Sequence, residues 1–178
     1  MLRTITRQAP LRGSLGGPPL SEVLAGEPFE VLEISKEHVW GISPVDGSVG
    51  FVEKAAIGAY AGPQQPGEPI ADYVAAAETL IGTPASDGGR SEAGIDGGGL
   101  VFFALRRAGI RVPRFVDLQA TIGHLVGESA PMLRGDLLFF DGDVAIATDA
   151  THVLHVADTV RRRPIAELGT IVARRRLP

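Results

Sequence analysis

Apolar and polar residues alternate with two different periods along this chain. Pro28–Ile34 runs with period two: Phe29, Val31 and Glu33 fall on one face, and Glu30, Leu32 and Ile34 on the other. "HVWGISP" and "GSVGFVE" repeat that habit on either side of the turn signal Asp46-Gly47. Short strands at this spacing predict a small β-barrel over residues 1–62, with Trp40 and Phe51 in its core or on a half-exposed groove wall. The polar, Pro/Gly-rich stretch "AGPQQPGEP" breaks the pattern and predicts a linker at 63–69.

Beyond it the period lengthens. Ile70, Val74, Ala77 and Ile81 recur at helical spacing and predict a helix over 70–82, with Gly82 as its stop. A glycine-rich loop leads to a second predicted helix, "GLVFFALRRAG". It carries Leu100, Phe103 and Ala104 on its inner side, Arg106 and Arg107 at its negative end, and Gly109 as its cap. "VDLQATIG" predicts a short third helix, "GDLLFFDGDVAIATDATHVLHVA" two or three strands, and "GTIVARRRL" a closing strand. Helices followed by antiparallel strands give residues 70–178 an α+β architecture.

Composition narrows the chemistry. The chain has 178 residues, 44% hydrophobic and 21% charged, enough to bury a core. A net charge of −4 gives the whole molecule no general attraction to nucleic acid or to an anionic membrane. With no cysteine there is no disulfide, thiolate metal site or thiol nucleophile. The sequence lacks an apolar run of secretory-signal type and any run near the roughly 18 residues of a membrane span, so the expectation is a cytoplasmic protein.

The order of segments resembles the NlpC-type cell-wall peptidases, papain-like cysteine peptidases that follow a bacterial SH3-like barrel. The family's Asp-Cys-Ser-Gly-Leu-Val block falls on Asp96, Gly97, Gly98, Gly99, Leu100 and Val101. Its Pro-Arg…Gln block falls on Pro113, Arg114 and Gln119, and its Gly-Asp-Leu-x-Phe-Phe strand on Gly135–Phe140. Its His-Val-Gly-Ile strand falls on Asp143–Ile146, and a later Leu-His-Ala on Leu154, His155 and Val156. The resemblance implies an α+β fold, an SH3-like barrel followed by a papain-like domain of helices packed on an antiparallel sheet. It also implies activity on γ-D-glutamyl-diamino acid peptides, with cysteine as nucleophile, histidine as base and a second polar residue as orienter.

Those positions have changed here. Gly97 stands at the nucleophile, Asp143 at the base, and only His155 keeps a suitable residue. The family's Pro-Tyr-x-Trp-Gly-Gly approach loop reads Pro84-Ala85-Ser86-Asp87-Gly88-Gly89. The resemblance therefore implies an inactive homologue with a vestigial triad, needing no cofactor or metal. Its implied role is to bind a peptidoglycan-derived peptide or a protein partner, with Asp96 and His155 as ligand contacts. Asp96 is read as a helix cap before an ammonium partner.

Other readings stay open. An active hydrolase would need Ser86 or Ser91 beside a base, or a metal held by His152, His155, Asp141, Asp143 and Asp149, although residues three apart on a strand face opposite ways. A scaffold oligomer is a third possibility. The triple glycine lacks the lysine of a P-loop and reads as an erased nucleophile loop, not a phosphate cradle. Arg161–Arg163 and Arg174–Arg176 read as solvated edge-strand faces in preference to a nucleic-acid patch.

Overall fold

Period-two alternation does produce strands in the first part of the chain. They are β1 (Leu2–Ile5), β2 (Ala9–Arg12), β3 (Pro19–Val23), β4 (Pro28–Ile34), β5 (His38–Ile42), β6 (Val49–Glu53) and β7 (Ile57–Gly58). The structure, a computed structural model, describes residues 1–62 and 68–178, so most of the linker predicted at 63–69 lies outside the described residues. The chain divides into two compact units, Met1–Gly67 and Glu68–Pro178.

In the first unit the strands pair in the order β3-β2-β6-β5-β4-β1-β7, all antiparallel. Ile5, Leu11, Val23, Phe29, Val31, Val39 and Val52 fill the inner face. Gly41 and Gly50 sit opposite each other where the sheet is tightest. A β-carbon on Gly41 would lie 2.7 Å from the Phe29 ring, and one on Gly50 2.7 Å from Leu11 Cδ2, so neither position has room for a side chain. The closed barrel predicted from the spacing is not what the pairings give: among the described residues β3 and β7 end the sheet without pairing to each other. Glu33 also departs from its predicted inward face. A register shift between Val31 and Glu33 turns the end of β4 outward and leaves Glu33 exposed.

The second unit opens with α1 (Tyr73–Glu78), capped by Asp72 Oδ1, which accepts from the Val74 and Ala75 amides at 2.8 and 3.2 Å. The predicted helix over 70–82 is thus shortened at both ends. The Asp72 cap fixes its start. At its end the Thr79 hydroxyl donates to the Ala76 carbonyl, and the Leu80 and Ile81 amides take i−3 partners. Leu80 becomes core, while Ile81 is exposed.

A small hairpin, β8 (Arg90–Ser91) with β9 (Gly94–Ile95), leads into α2 (Gly97–Arg107), and α3 (Val116–Gln119) follows. The sheet strands are β10 (His124–Leu125), β11 (Leu137–Phe140), β12 (Asp143–Ala147), β13 (His152–Val156), β14 (Val160–Pro164) and β15 (Ala173–Arg176). Their order is β10-β15-β11-β12-β13-β14, with antiparallel pairing throughout.

Both faces of this sheet are covered, which is why "LLFF" is apolar without a break. Leu137 and Phe139 pack with Leu100, Val101, Ala104 and Leu105 of α2. Leu138 and Phe140 pack with Ala145, Ala147 and Val153 on the other side.

The arginine clusters separate in this topology. Arg161–Arg163 lie on the edge strand β14, whereas Arg174–Arg176 lie on β15, inside the sheet. The predicted solvated edge therefore fails for the second cluster. Arg174 is buried, and Arg176 donates to both oxygens of the fully buried Asp136, at 2.6 and 2.8 Å. Burial pushes the Asp136 carboxyl up, but Arg176, the Leu133 amide and Arg174 together hold it below the usual carboxylate range.

Candidate functional site

The three glycines are the first turn of α2, not a loop in front of it, and all three are buried. Each excludes a side chain for its own reason. A β-carbon on Gly99 would lie 3.1 Å from Arg90 Cα and overlap the Gly89 carbonyl oxygen. One on Gly98 would lie 2.9 Å from the Arg114 carbonyl oxygen. One on Gly97 would lie 3.1 Å from Asp143 Cγ and overlap Oδ1 of the same carboxylate. Gly98 and Gly99 are thus empty because backbone passes close by. Gly97 is empty because a side chain from β12 already fills its place.

Asp96 anchors this turn. Its Oδ1 accepts from the Gly99 amide at 2.7 Å, and its Oδ2 from the Gly88 amide at 3.0 Å and from Arg114 Nη2 at 2.7 Å. Arg114 is buried and also donates to the Gly89 carbonyl. Gln119 Nε2 donates to the Gly98 and Pro113 carbonyls, both at 2.9 Å. The Pro-Arg…Gln block thus holds the helix start, the approach loop and α3 together. Asp96 thus acts as the cap of α2 and as the ion-pair partner of Arg114.

Strands β12 and β13 bring the other two positions together. Asp143 Oδ2 lies 3.0 Å from His155 Nε2, and Oδ1 accepts from the Val144 amide at 2.7 Å. His155 is buried against Phe140, ring centroids 5.4 Å apart and tilted by 51°. Its other nitrogen, Nδ1, faces Arg163 Nη1 at 3.3 Å. A guanidinium has only donors, so the hydrogen bonds assign Nδ1 as acceptor and Nε2 as the N–H that donates to Asp143. Arg163 is in turn held by Glu167, through the carbonyl at 3.0 Å and the carboxylate at 3.3 Å. Gly97, Asp143 and His155 are therefore neighbours, and both imidazole nitrogens are occupied.

By sequence alone Arg163 reads as a surface charge. Only the antiparallel register reveals its role: His155 pairs with Arg161, which makes Arg163 the diagonal neighbour on the same face.

The remaining candidates do not converge here. Asp149 is a turn residue that accepts from Thr151 and His152 and pairs with Arg162, while His152 Nδ1 meets Thr151 Oγ1 at 2.9 Å. These bonds hold the Asp149 carboxyl far below its usual range. Among the described residues no group of three or more His, Asp or Glu is arranged to hold a metal ion. Ser86 and Ser91 lie in the approach loop and β8, and His155 spends its nitrogens on Asp143 and Arg163 instead.

The NlpC/P60 family model matches residues 82–170, half of the chain, spanning this turn and strands β11 to β14. The chain belongs to the NlpC/P60 family. Solved structures of similar fold include an NlpC/P60 family protein from Bacillus cereus, 22% identical at a TM-score of 0.57, covering 99% of this chain and 63% of its own. RipD of Mycobacterium tuberculosis, a non-catalytic NlpC/P60 domain protein adapted to peptidoglycan binding, is 24% identical at a TM-score of 0.52 and covers 60% of this chain and 95% of its own. The peptidoglycan hydrolase RipB of the same organism is 26% identical at a TM-score of 0.54, covering 60% of this chain and 63% of its own. This NlpC/P60 chain thus spans under two thirds of the length of the Bacillus cereus protein. No curated protein matches the chain. No helix among the described residues is long and apolar enough to cross a membrane.

Proposed function

We infer that this chain is a non-catalytic NlpC/P60 protein that binds peptidoglycan-derived peptides. The observation that carries the reading is the Asp143 carboxylate lying where a nucleophilic side chain on Gly97 would have to stand. Hydrolysis of an amide by this family's route needs a nucleophile beside a free imidazole nitrogen. Here the nucleophile position has no side chain, and both nitrogens of His155 carry partners. RipD supports the binding half, being an NlpC/P60 domain described as non-catalytic and adapted to peptidoglycan binding.

On this reading residues 1–62 are an SH3-like module that assists recognition, 63–69 the linker, and 70–178 the degenerate papain-like domain. The short strands and the single tight apolar core of the first unit support the module assignment.

Titration calorimetry with a γ-D-glutamyl-diamino acid peptide, followed by chromatography after prolonged incubation, tests both halves. Binding without turnover is expected. Heat-sensitive turnover would overturn the non-catalytic assignment, and absence of any heat of binding would overturn the peptide ligand.

A further inference from the structure

Several carboxylates of the second unit are matched with arginine. Asp72 and Glu78 share Arg134, Asp96 has Arg114, and Asp136 has Arg174 and Arg176. Asp149 has Arg162, Asp158 has Arg161, and Glu167 has Arg163. Asp143 has no Lys or Arg within ion-pair distance among the described residues. Its partners are its own neighbour's amide and His155 Nε2. Arg163 is on the far side of the imidazole and already pairs with Glu167. The start of α2 supplies roughly half a positive charge, which offsets only part of the carboxylate's. The side chain is still 37% exposed, so a carboxylate with no Lys or Arg partner faces solvent beside the side-chain-free turn.

We propose that Asp143 turns the former base position into a recognition site for a primary ammonium group. The inference rests on the peptide-binding reading and narrows its ligand. An intact amide offers one neutral N–H at this place, whereas an ammonium offers three donors and a unit charge. Breaking an amide opposite a nucleophile at position 97 would release an amine, which is cationic in neutral water. A carboxylate at position 143 complements that cut fragment and is indifferent to the uncut bond. Asp96 is the poorer candidate, because its charge is already paired with Arg114 and it accepts from two amides.

The test is calorimetry on the full chain with three probes: the dipeptide L-lysyl-D-alanine, the same dipeptide with both amines acetylated, and the intact tetrapeptide L-alanyl-γ-D-glutamyl-L-lysyl-D-alanine. The free dipeptide is expected to bind about tenfold more tightly than its acetylated form, the scale of one charge-assisted contact at a part-exposed site. Asp143→Asn should abolish that preference. Asp141→Asn, which removes the same charge from an exposed neighbour, should keep it.

Equal affinity for the free and acetylated dipeptides, or a preference that survives Asp143→Asn, overturns the ammonium site. If the tetrapeptide binds in that case, the peptide-binding reading stands. Failure of all three probes overturns both. Thermal melting reports whether Asp143→Asn is folded, and the acetylation comparison on the unaltered protein decides the matter if it is not.

Discussion

Adding a single methyl group at position 97 probes the site without any ligand. In Gly97→Ala the new carbon would overlap Asp143 Oδ1, with Cγ only 3.1 Å away. The obstacle is the end of a flexible side chain, so Asp143 rotates away and gives up its bonds to Val144 and His155. Two hydrogen bonds to a charged acceptor would be worth about 3 kcal/mol if buried, and about 1–2 kcal/mol for a carboxylate this exposed. Replacing glycine in a helix returns up to about 1 kcal/mol. Gly97→Ala alone should therefore be neutral or destabilise by about 1–2 kcal/mol.

With Asp143→Ala already in place there is nothing to displace, and the same change should be neutral or stabilise by up to about 1 kcal/mol. Urea denaturation of the two single variants and the double variant measures the coupling. The double variant should be more stable than additivity predicts by about 1–2 kcal/mol. Additivity within about 0.5 kcal/mol would show that residues 97 and 143 do not meet, and the account of the site would fall.

Other positions make separate demands. Gly99→Ala drives a carbon into the Gly89–Arg90 backbone, which cannot rotate away, and should cost about 2–3 kcal/mol or more in the same urea assay. Asp136→Asn leaves Arg174 and Arg176 without their buried counterion and should cost about 3–5 kcal/mol. Asp136 and Asp72 are both held below the usual carboxylate range. The stability they contribute is complete above about pH 4 and should drain away as pH falls through their folded values; Asp136→Asn should flatten that acid limb in a pH series of melts. Gly97→Cys combined with Asp143→His should place a thiol at the start of α2 beside an imidazole. Its reaction with a disulfide reagent at pH 7 should be on the order of tenfold faster than that of an ordinary exposed thiol; an ordinary rate would place residue 97 away from residue 143.

What the sequence made legible was mostly what depends on short-range pattern. The run of four apolar residues in β11, the basic end and Gly109 stop of α2, and the capping role of Asp96 all follow from local spacing. The misreadings arose where the outcome depends on a partner distant in the chain. Arg174 and Arg176 look like the arginines at 161–163, yet β15 inserts between β10 and β11 and delivers them to Asp136. Arg163 looks like a solvated charge until strand register brings it to His155. The length of α1 was overestimated because a hydroxyl of Thr79, not the apolar period, decides where that helix tightens.

The triple glycine shows the same division at its sharpest, because three identical residues are identical for different reasons. Gly98 and Gly99 face backbone atoms, and those contacts would exclude a side chain whether or not the protein did chemistry. Their presence therefore says nothing about lost catalysis, and reading the whole run as an erased nucleophile loop overstates the loss. For Gly97 the nearest atom belongs to something that can move, the Asp143 side chain. A side chain at position 97 and the present place of Asp143 compete for the same space, so the two positions are physically coupled. On the proposed reading a carboxylate stands in the space of a nucleophile, with no Lys or Arg beside it. An unmatched charge facing solvent costs the fold nothing to keep and offers a ligand something to pair with. On the ammonium-site proposal the pair 97/143 is a site put to another use, and the acetylation comparison decides between that and simple loss.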